Sequence, residues 1–312
     1  MFDVSEFKEN TVIESSGVTQ DLYRRFIAYL DASPKTIETY TRNLKPFIVY
    51  LKENGIARPT RADILAYRDS LKGTHKPTTI QNYLTVVKIF FGWLEQEHIY
   101  PNVAKRVKGP RLDRAHKKDY LTTNQVKQIA SEIDRKSLIG TRDYAIFMLM
   151  VSCGLRTIEV SLANVEDLRP VGDKTVLYVQ GKGHTERSIF VLVPPKVEQA
   201  IRKYLKERGT CDEKEPLFAS TSNNNLGHRM TTRSISSIAK RLMREAGFNS
   251  SRLTAHSLRH TAVTAAINSG QRLDLVQAFA RHCDPGTTMI YVHHDDALKN
   301  ECSTLVSDMF FE

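Results

Sequence analysis

The chain has 312 residues, 41% hydrophobic and 26% charged, with a net charge of +10 and a pI near 9.4. That length suggests about two domains. No apolar run approaches the ~18 residues a membrane span needs, the polar, acidic N-terminus lacks the pattern of a secretory signal, and the charge points to a polyanion such as nucleic acid. Cys153, Cys211, Cys283 and Cys302 stand far apart, which fits reduced thiols in a cytoplasmic protein better than a disulfide framework or a zinc site.

Residues 1–17 show no period and read as a flexible lead. Residues 18–104 read as a compact helical bundle. Leu22, Phe26, Ile27 and Leu30 fall on one face of a first helix. Ser33-Pro34 gives an N-cap followed by proline at the first helical position, and predicts a helix to Asn54-Gly55. Thr60 caps a short helix carrying Ile64, Leu65 and Leu71. Thr78 or Thr79 caps a long one carrying Leu84, Val87, Phe90 and Trp93. Lys35, Arg42, Lys76 and Lys88 stud the polar faces and are candidate DNA contacts. Residues 105–118 hold seven basic side chains and one acid, broken by Gly109-Pro110. This stretch reads as an extended basic linker in which Lys105, Arg106, Lys108 and Arg111 can lie along phosphates. The first 118 residues carry 20 Lys and Arg against 13 Asp and Glu, so most of the excess charge sits here.

Residues 119–312 read as a second domain, mixed α+β. Thr122 or Thr123 caps a helix, and Thr141 caps a strongly apolar one that ends at Cys153-Gly154. A further helix follows Arg156. Residues 176–179 and 188–193 are β-rich and joined through Gly181-Lys182-Gly183, a hairpin pattern. Helices follow over residues 197–208 and after Thr231 or Thr232. Thr254 caps a helix on which His256, Arg259 and His260, at i, i+3 and i+4, share a face. Its apolar surface is Ala262, Val263, Ala265, Ala266 and Ile267. A second amphipathic run leads to His282, and Asp284-Pro285-Gly286 makes a turn before a short helix carrying Tyr291. Leu298, Cys302, Leu305 and Met309 keep helical spacing to the end. The fold class is mainly α with a small antiparallel β-sheet.

An arginine beside histidines is a poor metal site, because a guanidinium repels a cation. It is a good oxyanion site, because it offers a planar fork of donors. The i, i+4 pair His256 and His260 lacks the glutamate of a zinc helix, and Gly181-Lys182-Gly183 lacks the rest of a phosphate loop. Two arginines stabilise the non-bridging oxygens of a phosphodiester without a metal. A tyrosine with a pKa near 10 needs a positive neighbourhood to attack, and a lysine suits the protonation of an alkoxide leaving group. No cofactor, metal or ATP is implied.

The strings GLRTIEV, GKGHTERSIFV, HSLRH and ARHCDPGTTMIYVH together resemble the tyrosine recombinase (integrase) family over roughly residues 20–300. The resemblance implies a SAM-like core-binding bundle followed by a catalytic domain. Tyr291 would be the nucleophile that forms a 3′-phosphotyrosine. Arg156 and Arg259 would grip the phosphate, and Lys182 would protonate the 5′-hydroxyl. His256 would assist proton transfer and His282 would hydrogen-bond the phosphate, with Glu159 and His260 supporting. It further implies specific double-stranded DNA sites and a Holliday junction. It implies a homotetramer, or a heterotetramer with a second recombinase, with a C-terminal helix able to dock on a neighbour. Accessory bending or directionality factors would be further partners. The chain departs from the family's usual Leu-Gly-His at Ala280-Arg281-His282. Arg281 is therefore expected either to contact DNA or to alter the local backbone, and it inclines the reading toward a mobile element over Xer-type resolution. Two alternatives stay open: a type IB topoisomerase-like relaxing enzyme and an architectural DNA-binding protein.

Overall fold

The computed structural model describes residues 13–14, 17–18, 20–112, 119–181, 187–209, 211–281 and 309. The chain divides into two compact units, Met1–Arg114 and Ala115–Glu312. Among the described residues no helix is long and apolar enough to cross a membrane.

The first unit opens with β1 (Ile13–Glu14) paired antiparallel to β2 (Gly17–Val18). The lead expected to be structureless therefore contains a pairing, with β-branched Ile13 opposite Val18. Four helices follow: α1 (Gln20–Tyr29), α2 (Pro34–Glu53), α3 (Arg61–Ser70) and α4 (Pro77–Gln96). Ser33 Oγ accepts from the Thr36 N–H at 3.3 Å, as its sequence position predicts. α4 starts at Pro77 with Lys76 in the N-cap position, two or three residues before the threonines expected to cap it. Proline at the first helical position has its φ already set and lacks an N–H that would go unpaired there. The core is aromatic: Phe26 meets Phe90 edge-on at 5.1 Å between centroids, and Phe47 meets Tyr67 at 5.0 Å. Ala104 and Val107 bury in the same core, and Arg68 Nη1 donates to the Lys108 carbonyl at 3.1 Å. The first part of the expected linker is thus fastened to the bundle, because an apolar side chain within the basic run finds the core.

The second unit contains α5 (Thr123–Glu132), α6 (Leu138–Cys153), α7 (Thr157–Leu162), α8 (Pro195–Arg208), α9 (Thr232–Glu245), α10 (Ala255–Asn268) and α11 (Leu273–Ala280). Between α7 and α8 lies an antiparallel sheet of order β3-β4-β5, formed by β3 (Leu168–Val171), β4 (Lys174–Val179) and β5 (Ile189–Val193). Val179 stands opposite Ile189 and Thr175 opposite Val193, which is the hairpin expected. Strand β3 was not expected. Its Arg169-Pro170 reads as a breaker, yet proline is tolerated on an edge strand, where its missing donor costs no ladder bond. Leu177, Val179, Val191 and Val193 face the core, whereas Phe190 and Leu192 alternate outward and are exposed.

α6 begins a turn earlier than predicted. Ser137 is the cap, accepting from the Gly140 N–H at 3.1 Å, and Thr141 sits inside the helix donating to Glu207 Oε2 at 2.7 Å. α10 differs from a surface amphipathic helix. Residues 257–264 are all buried, and of the expected apolar face only Ala262 and Val263 are, because the helix packs against α6, α9 and α11 at once. The Leu121 N–H donates to Thr261 Oγ1 at 2.9 Å, tying the start of this unit to its central helix.

Gly140 gives a test of this packing. Replacing a helical glycine by alanine usually stabilises by up to about 1 kcal/mol. Here the added Cβ would lie 1.7 Å from the Asp134 carbonyl oxygen. Gly140→Ala is therefore expected to lower Tm rather than raise it, read by thermal denaturation of the whole chain.

Candidate active site

The site is assembled from the ends of three helices. α6 stops at Gly154, whose φ of 60° is left-handed. A Cβ there would meet the Phe279 ring at 3.3 Å and Ala262 Cβ at 3.5 Å. Glycine therefore serves both the turn and the close approach of α10 and α11. Arg156 occupies the N-cap position of α7, and its main-chain N–H donates to Glu159 Oε2 at 2.8 Å. Arg156 Nη1 donates to Glu159 Oε1 at 2.7 Å, and Nη2 to the Arg281 carbonyl at 3.1 Å. Both oxygens of Glu159 are thus engaged by Arg156.

Arg259 enters from α10 with 1% exposure and is among the largest fully buried side chains. Its Nη1 donates to the Gly154 carbonyl at 2.6 Å and its Nη2 to the Ala280 carbonyl. These carbonyls terminate α6 and α11, where the helix dipole is negative, and so help to compensate a buried cation.

Arg281, expected among the DNA contacts, turns inward. Its side chain is 6% exposed. Its Nη2 donates to Glu159 Oε2 at 2.8 Å and to the Gly154 carbonyl at 3.0 Å, and its Nη1 to the Phe279 carbonyl at 2.8 Å. Arg281 caps α11 at φ 51°, a left-handed conformation that costs a non-glycine residue roughly 1–2 kcal/mol. Its ring of acceptors, Glu159 above all, offsets that strain. Two guanidiniums, those of Arg156 and Arg281, thus hold one fully buried carboxylate. Burial pushes the Glu159 carboxyl up, but the charges and hydrogen bonds of Arg281, then of Arg156, outweigh it and hold its pKa below the usual value.

Arg156, His256 and Arg259 line one cavity of about 660 Å³, with Thr254, Lys240 and Ser236 also on its wall. His256 is exposed at its rim. His260 is buried against the Tyr120 ring, 5.1 Å between centroids, and is not part of that wall. A larger cavity of about 850 Å³, rimmed by Arg135, Lys196 and Lys203, contains none of the predicted residues. Lys240 is new: it donates to the carbonyls of Ser250 and Leu253 and so holds the loop that leads into α10. On the polar side of α9 it carries no sequence signal. Lys182, His282 and Tyr291 lie outside the described residues. Of the candidate DNA contacts, Lys35, Arg42, Lys76, Lys105, Arg106, Lys108 and Arg111 are exposed and Lys88 is half-buried.

A carboxylate-braced arginine at a helix start and a buried arginine beside a histidine define a site for an oxyanion, in a catalytic unit preceded by a helical bundle. The chain belongs to the phage integrase family, whose model matches residues 119–297; the family's N-terminal SAM-like domain matches residues 20–100. Within that family it is a tyrosine-type site-specific DNA recombinase. It is similar to the tyrosine recombinase XerD of Oceanobacillus iheyensis, 30% identical over 270 residues that cover 84% of this chain and 88% of the relative. It is also similar to XerC of Chlamydia caviae, 28% identical over 308 residues that cover 88% and 96%. In fold it resembles the XerH recombinase in a post-cleavage complex with palindromic difH substrate, with a TM-score of 0.74 at 18% identity, covering 97% of this chain and 92% of that one.

The Glu159 cluster fixes a pH dependence. A carboxyl whose folded pKa lies below its unfolded value of about 4.5 contributes stability that is complete above that pH and is lost as pH falls through the folded value. Glu159→Gln is expected to lower stability near neutrality and to flatten the loss of stability below about pH 4.5, measured by urea denaturation across that range.

Proposed function

We propose that Tyr291 attacks a scissile phosphodiester of duplex DNA while Arg156 and Arg259 bind its non-bridging oxygens. The P–O5′ bond breaks as the P–O bond to Tyr291 forms. Lys182 gives its proton to the departing 5′-oxygen, and a 3′-phosphotyrosine remains. A second 5′-hydroxyl then attacks that phosphorus and returns the tyrosine, so the linkage energy is conserved without ATP. His256 moves a proton at the nucleophile or phosphate, and His282 donates to the phosphate. His260, packed against the Tyr120 ring, supports the helix that carries Arg259.

The observation that carries this reading is the meeting of Arg156, Arg259 and His256, from two helices about a hundred residues apart in sequence, on one cavity wall. The family membership supports the rest of the assignment. The domains in this reading are a lead over residues 1–17, a core-binding bundle over 18–104, a basic linker over 105–118 and a catalytic domain over 119–312. The exposed Lys and Arg side chains of the first unit neutralise DNA phosphates. Four protomers exchange strands on two specific sites through a Holliday junction, each docking its C-terminal helix on a neighbour, with accessory factors setting direction. The biological outcome is integration or excision of a mobile element, toward which Arg281 inclines the reading, rather than Xer-type resolution.

The test uses nicked suicide duplexes tiled across the DNA that flanks the gene, with detergent-resistant protein–DNA adducts as the readout. Wild type is expected to give an adduct at one position and Tyr291→Phe none. Arg156→Ala is expected to slow adduct formation by about 100- to 1000-fold, the usual loss for one oxyanion donor. Arg259→Ala is expected to slow it similarly and also to lower Tm, since it removes a buried donor from two helix-end carbonyls.

A further inference from the structure

Arg156 and Glu159 form a pair that works against the chemistry if left alone. An arginine and a carboxylate favour a bidentate clamp of two parallel hydrogen bonds. In that clamp the carboxylate cancels the charge that a phosphate is meant to meet. The structure does not adopt it. Glu159 Oε1 takes Arg156 Nη1 at 2.7 Å, with Arg281 Nε further off at 3.4 Å, but Oε2 is taken by the Arg156 main-chain N–H and by Arg281 Nη2, each at 2.8 Å. Arg156 Nη2 is drawn aside to the Arg281 carbonyl at 3.1 Å. Arg156 stays 27% exposed on the cavity wall, while Arg281 and Glu159 are sealed behind it at 6% and 0%.

We propose that Arg281 is a positioning residue that takes up the charge of Glu159 and one of its oxygens, so that Arg156 keeps its orientation and its positive charge for the scissile phosphate. With Arg281 present, Arg156, Glu159 and Arg281 together carry one net positive charge; without it they carry none. The main chain of residue 281 contributes separately, through the carbonyl that holds Arg156 Nη2, and any residue supplies that. The side chain is where this chain departs from the glycine usual before the histidine. The inference rests on the proposed roles of Arg156 and Tyr291 and adds a residue that acts through Arg156 and Glu159.

The test compares wild type with Arg281→Gly, Arg281→Lys and the double variant Glu159→Gln/Arg281→Gly on the nicked duplex that wild type cleaves. Three quantities are measured: the single-turnover rate of adduct formation, the DNA Kd, and Tm. Glycine fits the left-handed position, so Arg281→Gly is expected to fold and to bind DNA within about threefold of wild type, while forming adduct at least ~30-fold more slowly. Arg281→Lys keeps the charge without the fork and is expected to retain most of the rate. The double variant restores the net positive charge and is expected to recover at least ~5-fold over Arg281→Gly, a recovery that a merely structural role does not produce. Adduct formation by Arg281→Gly at the wild-type rate, or a double variant no faster than Arg281→Gly, overturns the inference alone. A wild type that makes no Tyr291-dependent adduct overturns the reading beneath it, and the inference falls with it.

Discussion

The buried carboxylate of Glu159 is the constraint to which the rest of the site answers. A lone ionised carboxylate removed from water is costly by many kcal/mol, and it survives burial only when paired and hydrogen-bonded. Here it has a main-chain N–H at the start of α7 and guanidinium donors from Arg156 and Arg281. The cations are treated in the same way. Arg259 lies on the carbonyls that end α6 and α11, and Arg281 shares the first of them. Glu159 thus lies at a helix N-terminus, and Arg259 and Arg281 lie at C-termini, each at the end of opposite polarity. The positive excess that remains is held rigidly, and rigid donors are what stabilise charge developing in a transition state.

That arrangement explains features of the fold that packing alone leaves arbitrary. α10 is buried on nearly every side over residues 257–264, so the Arg259 side chain has one direction available. Gly154 gives α6 a left-handed end and leaves no Cβ to hold off Phe279; a bulkier residue there separates the two carbonyls that Arg259 bridges. Thr261, one turn from Ser257 on the same helix, anchors the chain where the unit begins. The short helix α7 contributes little packing, yet it sets Arg156 and Glu159 three residues apart across its first turn, where a capping box places its acid.

Most of what was legible in the sequence is local. Ser33, Thr122 and Thr231 each accept from the N–H three residues on, as their positions before apolar-periodic runs require. The β4–β5 hairpin follows from two β-rich runs around a glycine pair. His256 and Arg259 stood out through spacing and charge, Arg156 through its place after a glycine at a helix start, and Glu159 only through the family resemblance. What was not legible depends on partners distant along the chain. Arg281 beside Glu159 is a contact across 122 residues, and an arginine on an otherwise basic surface reads as a DNA contact until its acid partner is known. Val107 looked like one apolar residue in a basic tether, and its burial needs the bundle core to exist first. Strand β3 pairs only at an edge, and Pro170 hid it.

The arginines and lysines of this chain therefore fall into two physical kinds, though composition counts them alike. Those of the first unit, such as Lys35, Arg42 and Lys76, are exposed, and an exposed charge acts at a distance set by ionic strength. Arg259 and Arg281 are buried and fixed by short hydrogen bonds, and added salt scarcely screens such groups. In the proposed reading the first kind holds DNA and the second kind serves the phosphate that is cut. Salt then weakens the binding step, through counterion release from the backbone, while leaving the geometry of the chemical step intact. Arg156 stands between the two, partly exposed on the cavity wall yet tethered at both of its terminal nitrogens. In the proposed reading it is the residue through which a salt-sensitive association is converted into a fixed, salt-insensitive grip on one phosphate. The inward turn of Arg281 lets it keep its charge while it does so.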